Sequence, residues 1–150
     1  MDTFTARPTT HSSAGAPASP PLAHPLRVLY ADDMRELREV VRLSLSREGH
    51  NIETAEDGRQ ALDRLRADPS FELVITDHHM PRMNGLELVR ELRALSFPGK
   101  IMVFSSEISA EVAAHYRQLG VDKILYKPVY PSALRHVLRE IFPPLAARGI

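Results

Sequence analysis

Short apolar runs alternate with longer segments of helical periodicity five times along this sequence. The runs lie at residues 26–31, 52–55, 71–76, 101–104 and 123–126. Strands that alternate with helices in this way are typical of a parallel sheet with helices on its faces. The third run is apolar at nearly every position, as a strand buried on both faces should be. We therefore predict an α/β fold whose third strand lies at the centre of the sheet.

Each segment between the runs has one apolar stripe at helical spacing, and Gly or Pro marks its end. The last helix is expected to open at Pro131. The stripes are expected to face the sheet. In the first helix the stripe contains Met34, Leu37, Val41 and Leu45, and in the third it contains Leu88, Val89, Leu92 and Leu95.

The chain has 150 residues, which suits one domain. Residues 1–25 contain five of the twelve prolines and many Ser, Thr and Ala residues, but only two charged residues. A segment without a periodic apolar face cannot offset the entropy lost on ordering, so we predict a disordered tail over 1–25. The folded domain is expected over residues 26–142, with a short C-terminal tail over 143–150.

The charge balance argues against binding through bulk electrostatics. Lys plus Arg and Asp plus Glu each number 19, so we expect neither a nucleic acid nor a membrane as partner. No apolar stretch approaches the roughly 18 residues of a transmembrane helix. The chain has no Cys, which excludes disulfides, thiol nucleophiles and thiolate metal sites and is compatible with a reducing compartment. We expect a cytoplasmic protein.

Polar side chains follow the apolar strands at the edge where parallel sheets bind ligands. Asp32 and Asp33 follow the first strand, Asp77 the third, Ser105 the fourth and Lys127 the fifth. Three carboxylates brought together need a cation, and oxygen ligands favour Mg²⁺ or Mn²⁺. The lysine and the hydroxyl group would bind phosphoryl oxygens. The pattern predicts a phosphoryl-transfer site in which one carboxylate is the nucleophile.

Four motifs in chain order resemble the receiver domain of two-component response regulators, in particular the single-domain, chemotaxis-regulator-like members. They are Asp32-Asp33, the segment TDHHMPRMNG at 76–85, Ser105 and Lys127-Pro128, and the resemblance covers residues 26–142. It implies a flavodoxin-like (βα)5 doubly wound parallel sheet with strand order 2-1-3-4-5.

The same resemblance assigns roles to the residues at the strand ends. Asp77 would be the phosphoacceptor. Asp32 and Asp33 would bind Mg²⁺ together with Asp77 and the backbone carbonyl of His79. Ser105 would bind the phosphoryl group and help to switch the conformation, with Ser106 as the alternative if the strand is one residue longer. Lys127 would pair with the phosphoryl group.

Two positions depart from or vary within the family pattern. Receivers usually have an aromatic residue three positions before the Lys-Pro pair, as the partner of the switch hydroxyl, and this chain has Ile124. Phe104 or Tyr126 is the candidate substitute. His79 lies two residues after the phosphoacceptor and Glu107 two after Ser105, and we hypothesise that this pair sets the lifetime of the phosphoryl group.

The leading hypothesis is a stand-alone response regulator in phosphorelay signal transduction. A sensor histidine kinase would phosphorylate it, and it would signal by contact with a target protein or a histidine phosphotransfer protein. A DNA-binding regulator would need on the order of 60 further residues for a helix-turn-helix output module, so we expect no such output module in this chain. One alternative is an aspartyl-phosphate phosphatase of the haloacid-dehalogenase type, although His79 stands where that family needs a second Asp. Another is a degenerate receiver that acts as a binding scaffold. We expect signalling chemistry and not a metabolic enzyme.

Overall fold

Five parallel strands form one sheet, and each strand is followed along the chain by a helix. The computed structural model describes residues 24–143. The strands are β1 (Arg27–Ala31), β2 (Asn51–Ala55), β3 (Leu73–Asp77), β4 (Lys100–Ser105) and β5 (Lys123–Tyr126). The helices are α1 (Arg35–Arg47), α2 (Gly58–Ala67), α3 (Gly85–Ala94), α4 (Ala110–Gln118) and α5 (Pro131–Ile141).

The strands pair in the order β2-β1-β3-β4-β5, which confirms the predicted fold class and the central place of β3. All five residues of β3 are buried. The chain moves outward from β1 to β2 and then returns past β1 to β3, so the order reverses between β1 and β3. Ligands bind beside such a reversal in open α/β sheets. The register pairs Ala31 with Thr76 and Asp77 with Phe104, so the strands end at a common edge.

Two apolar layers cover the two faces of the sheet. Helices α2, α3 and α4 pack on one face, where Leu62, Leu88 and Tyr116 are fully buried. Helices α1 and α5 pack on the other face, where Leu45 and Leu134 lie in the core. Complete burial of one such side chain contributes about 1.5–3 kcal/mol, so these layers are the main source of stability. None of the helices within residues 24–143 is long and apolar enough to cross a membrane.

The structure moves several predicted ends and faces. The third strand begins at Leu73, two residues later than predicted, and extends to Asp77. Met34 and Leu95 do not face the core, because they are the N-cap of α1 and the C-cap of α3 and lie where helical periodicity no longer applies. Their exposed fractions are 51% and 48%. Of the two predicted tails, 1–25 and 143–150, all but residues 24, 25 and 143 lie outside the described part of the chain.

Candidate functional site

Three aspartates meet at the carboxyl edge of the sheet. Asp32 and Asp33 directly follow β1, and Asp77 is the last residue of β3. Each offers a carboxylate oxygen, and these oxygens all lie within 4.8 Å of one another. Within residues 24–143 no other group of three or more such side chains is close enough to hold a metal ion. Asp32 and Asp77 are buried and Asp33 is exposed, so the cluster has one open side.

A single lysine lies against two of these carboxylates. The Lys127 Nζ atom is 3.0 Å from Asp32 Oδ2 and 3.3 Å from Asp77 Oδ2. The backbone holds this lysine at the end of β5, because its N–H group donates to the Ser105 carbonyl oxygen at 2.8 Å. The Lys127–Pro128 peptide bond is cis. One ammonium group therefore contacts two of the three carboxylates.

Burial and the neighbouring negative charge both affect the pKa of Asp77. Burial raises the pKa of Asp77, and the nearby charge of Asp32 raises it further, while Lys127 and the N–H group of His78 act in the opposite direction. A divalent cation on the open side would offset this repulsion. Three carboxylate donors, without sulfur or imidazole, fit a hard cation such as Mg²⁺ or Mn²⁺. The residues present therefore fit the predicted metal.

Asp32 is held by donors from several parts of the chain. Its Oδ2 atom accepts hydrogen bonds from the Tyr30 hydroxyl at 2.7 Å and from Lys127, and its Oδ1 atom accepts from the Met34 N–H group at 2.9 Å. The Arg38 guanidinium donates to the Asp32 backbone carbonyl at 2.7 Å. The sequence analysis missed Tyr30 and Arg38. A signal existed for Tyr30, because a buried tyrosine needs a partner for its hydroxyl and residues two apart on a strand share a face.

The residue after Asp77 connects the site to α4. The His78 N–H group donates to Asp77 Oδ1 at 2.8 Å, while the His78 ring is hydrogen-bonded through Nδ1 to the buried Tyr116 hydroxyl. Gly85 begins α3 at this point, and a Cβ atom there would overlap the Asp77 carbonyl oxygen and the Tyr116 hydroxyl. The absence of a side chain at Gly85 is what lets α3 approach the site so closely. The sequence analysis did not identify Tyr116 as a residue of the site.

The rest of the β3–α3 loop is attached to the start of α2. The guanidinium of Arg82 donates to the buried carboxylate of Asp57, which also caps α2 by accepting from the Gln60 N–H group at 2.8 Å. The Gly58 N–H group donates to the Met83 carbonyl at 3.1 Å. The loop that begins at Asp77 is thus fixed at both ends.

Ser105, His79 and Glu107 lie on the β4 side of the site. Ser105 ends β4 and is fully buried, whereas Ser106 is exposed. The Ser105 hydroxyl donates to the Glu107 backbone carbonyl at 3.3 Å, and His79 Nε2 is 3.2 Å from the same oxygen. The contact that joins His79 to Glu107 is therefore with the backbone of Glu107 and not with its carboxylate.

The predicted substitutes for the missing aromatic residue lie elsewhere. Ile124 is half-buried and packs in the same apolar layer as Tyr116. Phe104 is buried on the opposite face, where its ring centroid is 5.8 Å from that of Tyr30, and Tyr126 is 55% exposed. The aromatic residue that reaches the loop after Asp77 is Tyr116, from α4 and not from β5.

Comparison with known proteins gives a consistent picture. A family model described as the response regulator receiver domain matches residues 28–139. The response regulator MprA of Mycolicibacterium vanbaalenii is 39% identical over 123 residues, which are 79% of this chain and 53% of MprA. The sensory/regulatory protein RpfC of Xanthomonas campestris is 32% identical over 120 residues, 77% of this chain and 16% of RpfC. The chain thus spans about half of the length of MprA.

Solved structures agree with these relatives. The chemotaxis protein CheY4 of Vibrio cholerae superimposes with a TM-score of 0.73 at 32% identity, covering 79% of this chain and 99% of CheY4. A response regulator receiver protein from Pseudomonas putida superimposes with a TM-score of 0.72 at 30% identity, with the same coverage. The family-model match over residues 28–139 includes all three aspartates at the carboxyl edge of the sheet.

Proposed function

This chain belongs to the response regulator receiver family of two-component signalling, and from that premise we propose that Asp77 accepts a phosphoryl group from a sensor histidine kinase in a Mg²⁺-dependent reaction. The observation that supports this most directly is the position of Asp77. Its carboxylate lies at the end of the central strand, within 4.8 Å of ligand oxygens of Asp32 and Asp33 and 3.3 Å from the Lys127 ammonium group.

In the proposed transfer, a carboxylate oxygen of Asp77 attacks phosphorus. An O–P bond forms while the N–P bond to the kinase histidine breaks, and the electron pair of the N–P bond stays on the imidazole nitrogen. Lys127 supplies positive charge, and the Ser105 hydroxyl supplies a hydrogen bond, to the phosphoryl oxygens. Asp32, Asp33, Asp77 and the His79 carbonyl would hold Mg²⁺, which would supply positive charge to offset the negative charge of the carboxylates and the phosphoryl group.

The lifetime of the aspartyl phosphate belongs to the same proposal. The group is lost when water attacks phosphorus, and we assign control of that step to His79 and Glu107. His79 is exposed and its ring contacts the Glu107 backbone carbonyl, so it lies along the rim of the site. His79→Ala should change the rate of dephosphorylation several-fold. Glu107→Ala removes the Glu107 carboxylate and tests separately whether that side chain affects the same rate. If both variants lost phosphate at the parent rate, the assignment would be wrong.

Signalling is proposed to occur through protein contact. Addition of a phosphoryl group changes the charge beside Lys127 and so biases the energies of two conformations. The receiving partner would be a target protein or a histidine phosphotransfer protein. The proposal includes a cytoplasmic location, where a histidine kinase has access to ATP. It also treats the phosphoryl group as a signal and not as the product of a metabolic enzyme. Action as a stand-alone regulator stays a prediction.

The test uses acetyl phosphate as a small phosphodonor, with Mg²⁺ present or chelated. Intact mass should show one phosphoryl adduct on the wild type in Mg²⁺, none on Asp77→Asn, and little on Asp33→Asn, which loses an exposed metal ligand. Rapid multiple turnover of phosphate monoesters would instead indicate a phosphatase of the haloacid-dehalogenase type. Absence of any adduct on the wild type would indicate a degenerate receiver and overturn the proposal.

A further inference from the structure

The Tyr30 hydroxyl is a polar group in β1, an interior strand of the sheet whose other buried residues are apolar. Tyr30 lies in β1 beside Ile75 of β3 and is 1% exposed. Its ring packs in the layer under α1 and α5, tilted by 54° against the ring of Phe104. The ring is therefore held within this buried layer, and its hydroxyl reaches Asp32 at the carboxyl edge of the sheet.

The hydroxyl ends at a metal-site carboxylate. Tyr30 and Asp32 are two residues apart and share a face, and the Tyr30 hydroxyl donates to Asp32 Oδ2 at 2.7 Å in a buried hydrogen bond. A buried hydrogen bond to a charged group is stronger and more directional than one between neutral groups. It favours one orientation of the Asp32 carboxylate.

Two other groups donate hydrogen bonds to the Asp32 carboxylate. Oδ2 also accepts from Lys127 at 3.0 Å, but Lys127 is shared with Asp77 and, under the proposed function, turns toward the phosphoryl group. Oδ1 accepts from the Met34 N–H group at the start of α1. When Lys127 engages a phosphoryl group, Tyr30 is the side-chain donor that still holds Oδ2.

We propose that Tyr30 is a positioning residue that orients the Asp32 carboxylate for binding of the divalent cation. The inference rests on the proposed function, because it assumes that Asp32 takes part in the metal site. The hydroxyl acts through Asp32 and does not contact substrate. Its contribution is to keep one ligand oriented before and after phosphoryl transfer.

The test compares Tyr30→Phe with Tyr116→Phe. Both changes remove one hydroxyl from a buried tyrosine and keep the ring, but the Tyr116 hydroxyl contacts the His78 ring and not a carboxylate. Titration calorimetry with Mg²⁺ alone, without phosphodonor, should show a Kd raised roughly tenfold in Tyr30→Phe. The Kd of Tyr116→Phe should stay within twofold of the wild type. Mn²⁺ binding followed by electron paramagnetic resonance gives an independent measurement.

Phosphorylation kinetics separate positioning from a general loss of structure. In Tyr30→Phe, the rate with acetyl phosphate should fall at low Mg²⁺ and return to near the wild-type rate at saturating Mg²⁺. In the wild type labelled with ¹³C-tyrosine, the Tyr30 Cζ resonance should move as Mg²⁺ is added. This last measurement needs no variant.

The outcomes distinguish the two proposals. Wild-type affinity in Tyr30→Phe, equal weakening in both tyrosine variants, or a stationary Tyr30 resonance overturns the positioning role alone. If the wild type binds no Mg²⁺ and takes no phosphoryl group, the proposed function fails, and the inference fails with it.

Discussion

At the scale of single residues, two buried titratable side chains make the free energy of unfolding depend on pH in opposite directions. His50 lies at the amino end of the sheet and Asp77 at the carboxyl end, and both are mostly shielded from water. Burial disfavours the charged form of each group, so it lowers the pKa of His50 and raises the pKa of Asp77. Each shift predicts how the free energy of unfolding depends on pH.

His50 should make the protein less stable as the pH falls. The Leu26 N–H group donates to His50 Nδ1 at 2.9 Å, which requires a neutral ring. Burial lowers the pKa of His50; Glu48 and Glu72 oppose this shift, whereas His24 adds to it. Because the unfolded state then binds the proton more readily, stability is complete above about pH 6.5 and decreases as the pH falls toward the folded pKa. Urea denaturation between pH 5 and 8 measures this slope.

His50→Asn is the matched control for that experiment. The asparagine amide oxygen can accept from the Leu26 N–H group in place of Nδ1, but it does not titrate. The variant should show a shallower decrease in stability below pH 6.5. An unchanged slope would assign the pH dependence to other groups.

Asp77→Asn should stabilise the metal-free protein at neutral pH. The folded pKa of Asp77 lies above its ordinary value, so the ionised carboxylate lowers stability, and this loss develops as the pH rises through the folded pKa. A neutral amide of the same shape removes the repulsion from Asp32 but also the attraction to Lys127. We expect a gain of about 1 kcal/mol in chelator, from urea denaturation. Asp33→Asn, at an exposed position, should change stability less, and a net loss in Asp77→Asn would contradict the argument.

At the scale of elements, the loop between β3 and α3 depends on α2. Asp57 has two functions there, since it caps α2 and pairs with Arg82 of the loop. Burial works to raise the pKa of Asp57, but hydrogen bonds from Gln60 and Arg82 bring the net shift below the ordinary value. The backbone of Arg82 is left-handed, with φ of 63°, and this conformation is uncommon for residues other than glycine.

Substitution of Asp57 should separate capping from ion pairing. Asp57→Asn keeps a good N-cap and loses the charge, whereas Asp57→Ala loses both. We expect Asp57→Ala to cost about 1 kcal/mol more than Asp57→Asn in the free energy of unfolding. The difference between Asp57→Asn and wild type should be smaller, because Arg82 is well exposed and its ion pair is screened. Equal losses in the two variants would indicate that the cap contributes little.

At the scale of the whole molecule, the sheet brings together charges that are far apart in sequence. Lys127 contacts Asp32 across 95 positions of the chain, and their hydrogen bond joins the ends of β1 and β5. A ligand that binds this edge therefore stabilises the entire folded domain and not one segment. Binding to the folded state alone raises stability by mass action.

Mg²⁺ should raise the melting temperature of the wild type by several degrees. At a concentration of about 100 times Kd, the expected stabilisation is roughly 2.7 kcal/mol. Differential scanning calorimetry in excess Mg²⁺ and in chelator measures it. Asp33→Asn should show a much smaller shift, because it loses the exposed carboxylate of the cluster. A shift of equal size in that variant would place the bound ion elsewhere.

Several features could be predicted from particular residues in the sequence. The apolar runs predicted all five strands, and the polar residues at their ends predicted that Asp32, Asp77 and Lys127 would meet. The ends of helices were harder to predict. Met34 and Leu95 fit the apolar periodicity of α1 and α3, but α1 begins one residue after Met34 and α3 ends one residue before Leu95. Strand β3 includes Asp77, whereas the predicted strand ended at residue 76 because Asp77 is polar.

The sequence by itself determined the strand and helix pattern and which residues follow the strands, because periodicity and chain order are local properties. Only the tertiary structure decided that Tyr30 holds Asp32 and that Tyr116 contacts His78. A buried hydroxyl must be paired, but its partner is whichever group the packed sheet and helices bring within reach. For Tyr116 that partner is 38 positions away in the chain. Periodicity could show that these tyrosines face inward, but the partners of their hydroxyl groups depend on which residues the fold brings close to them.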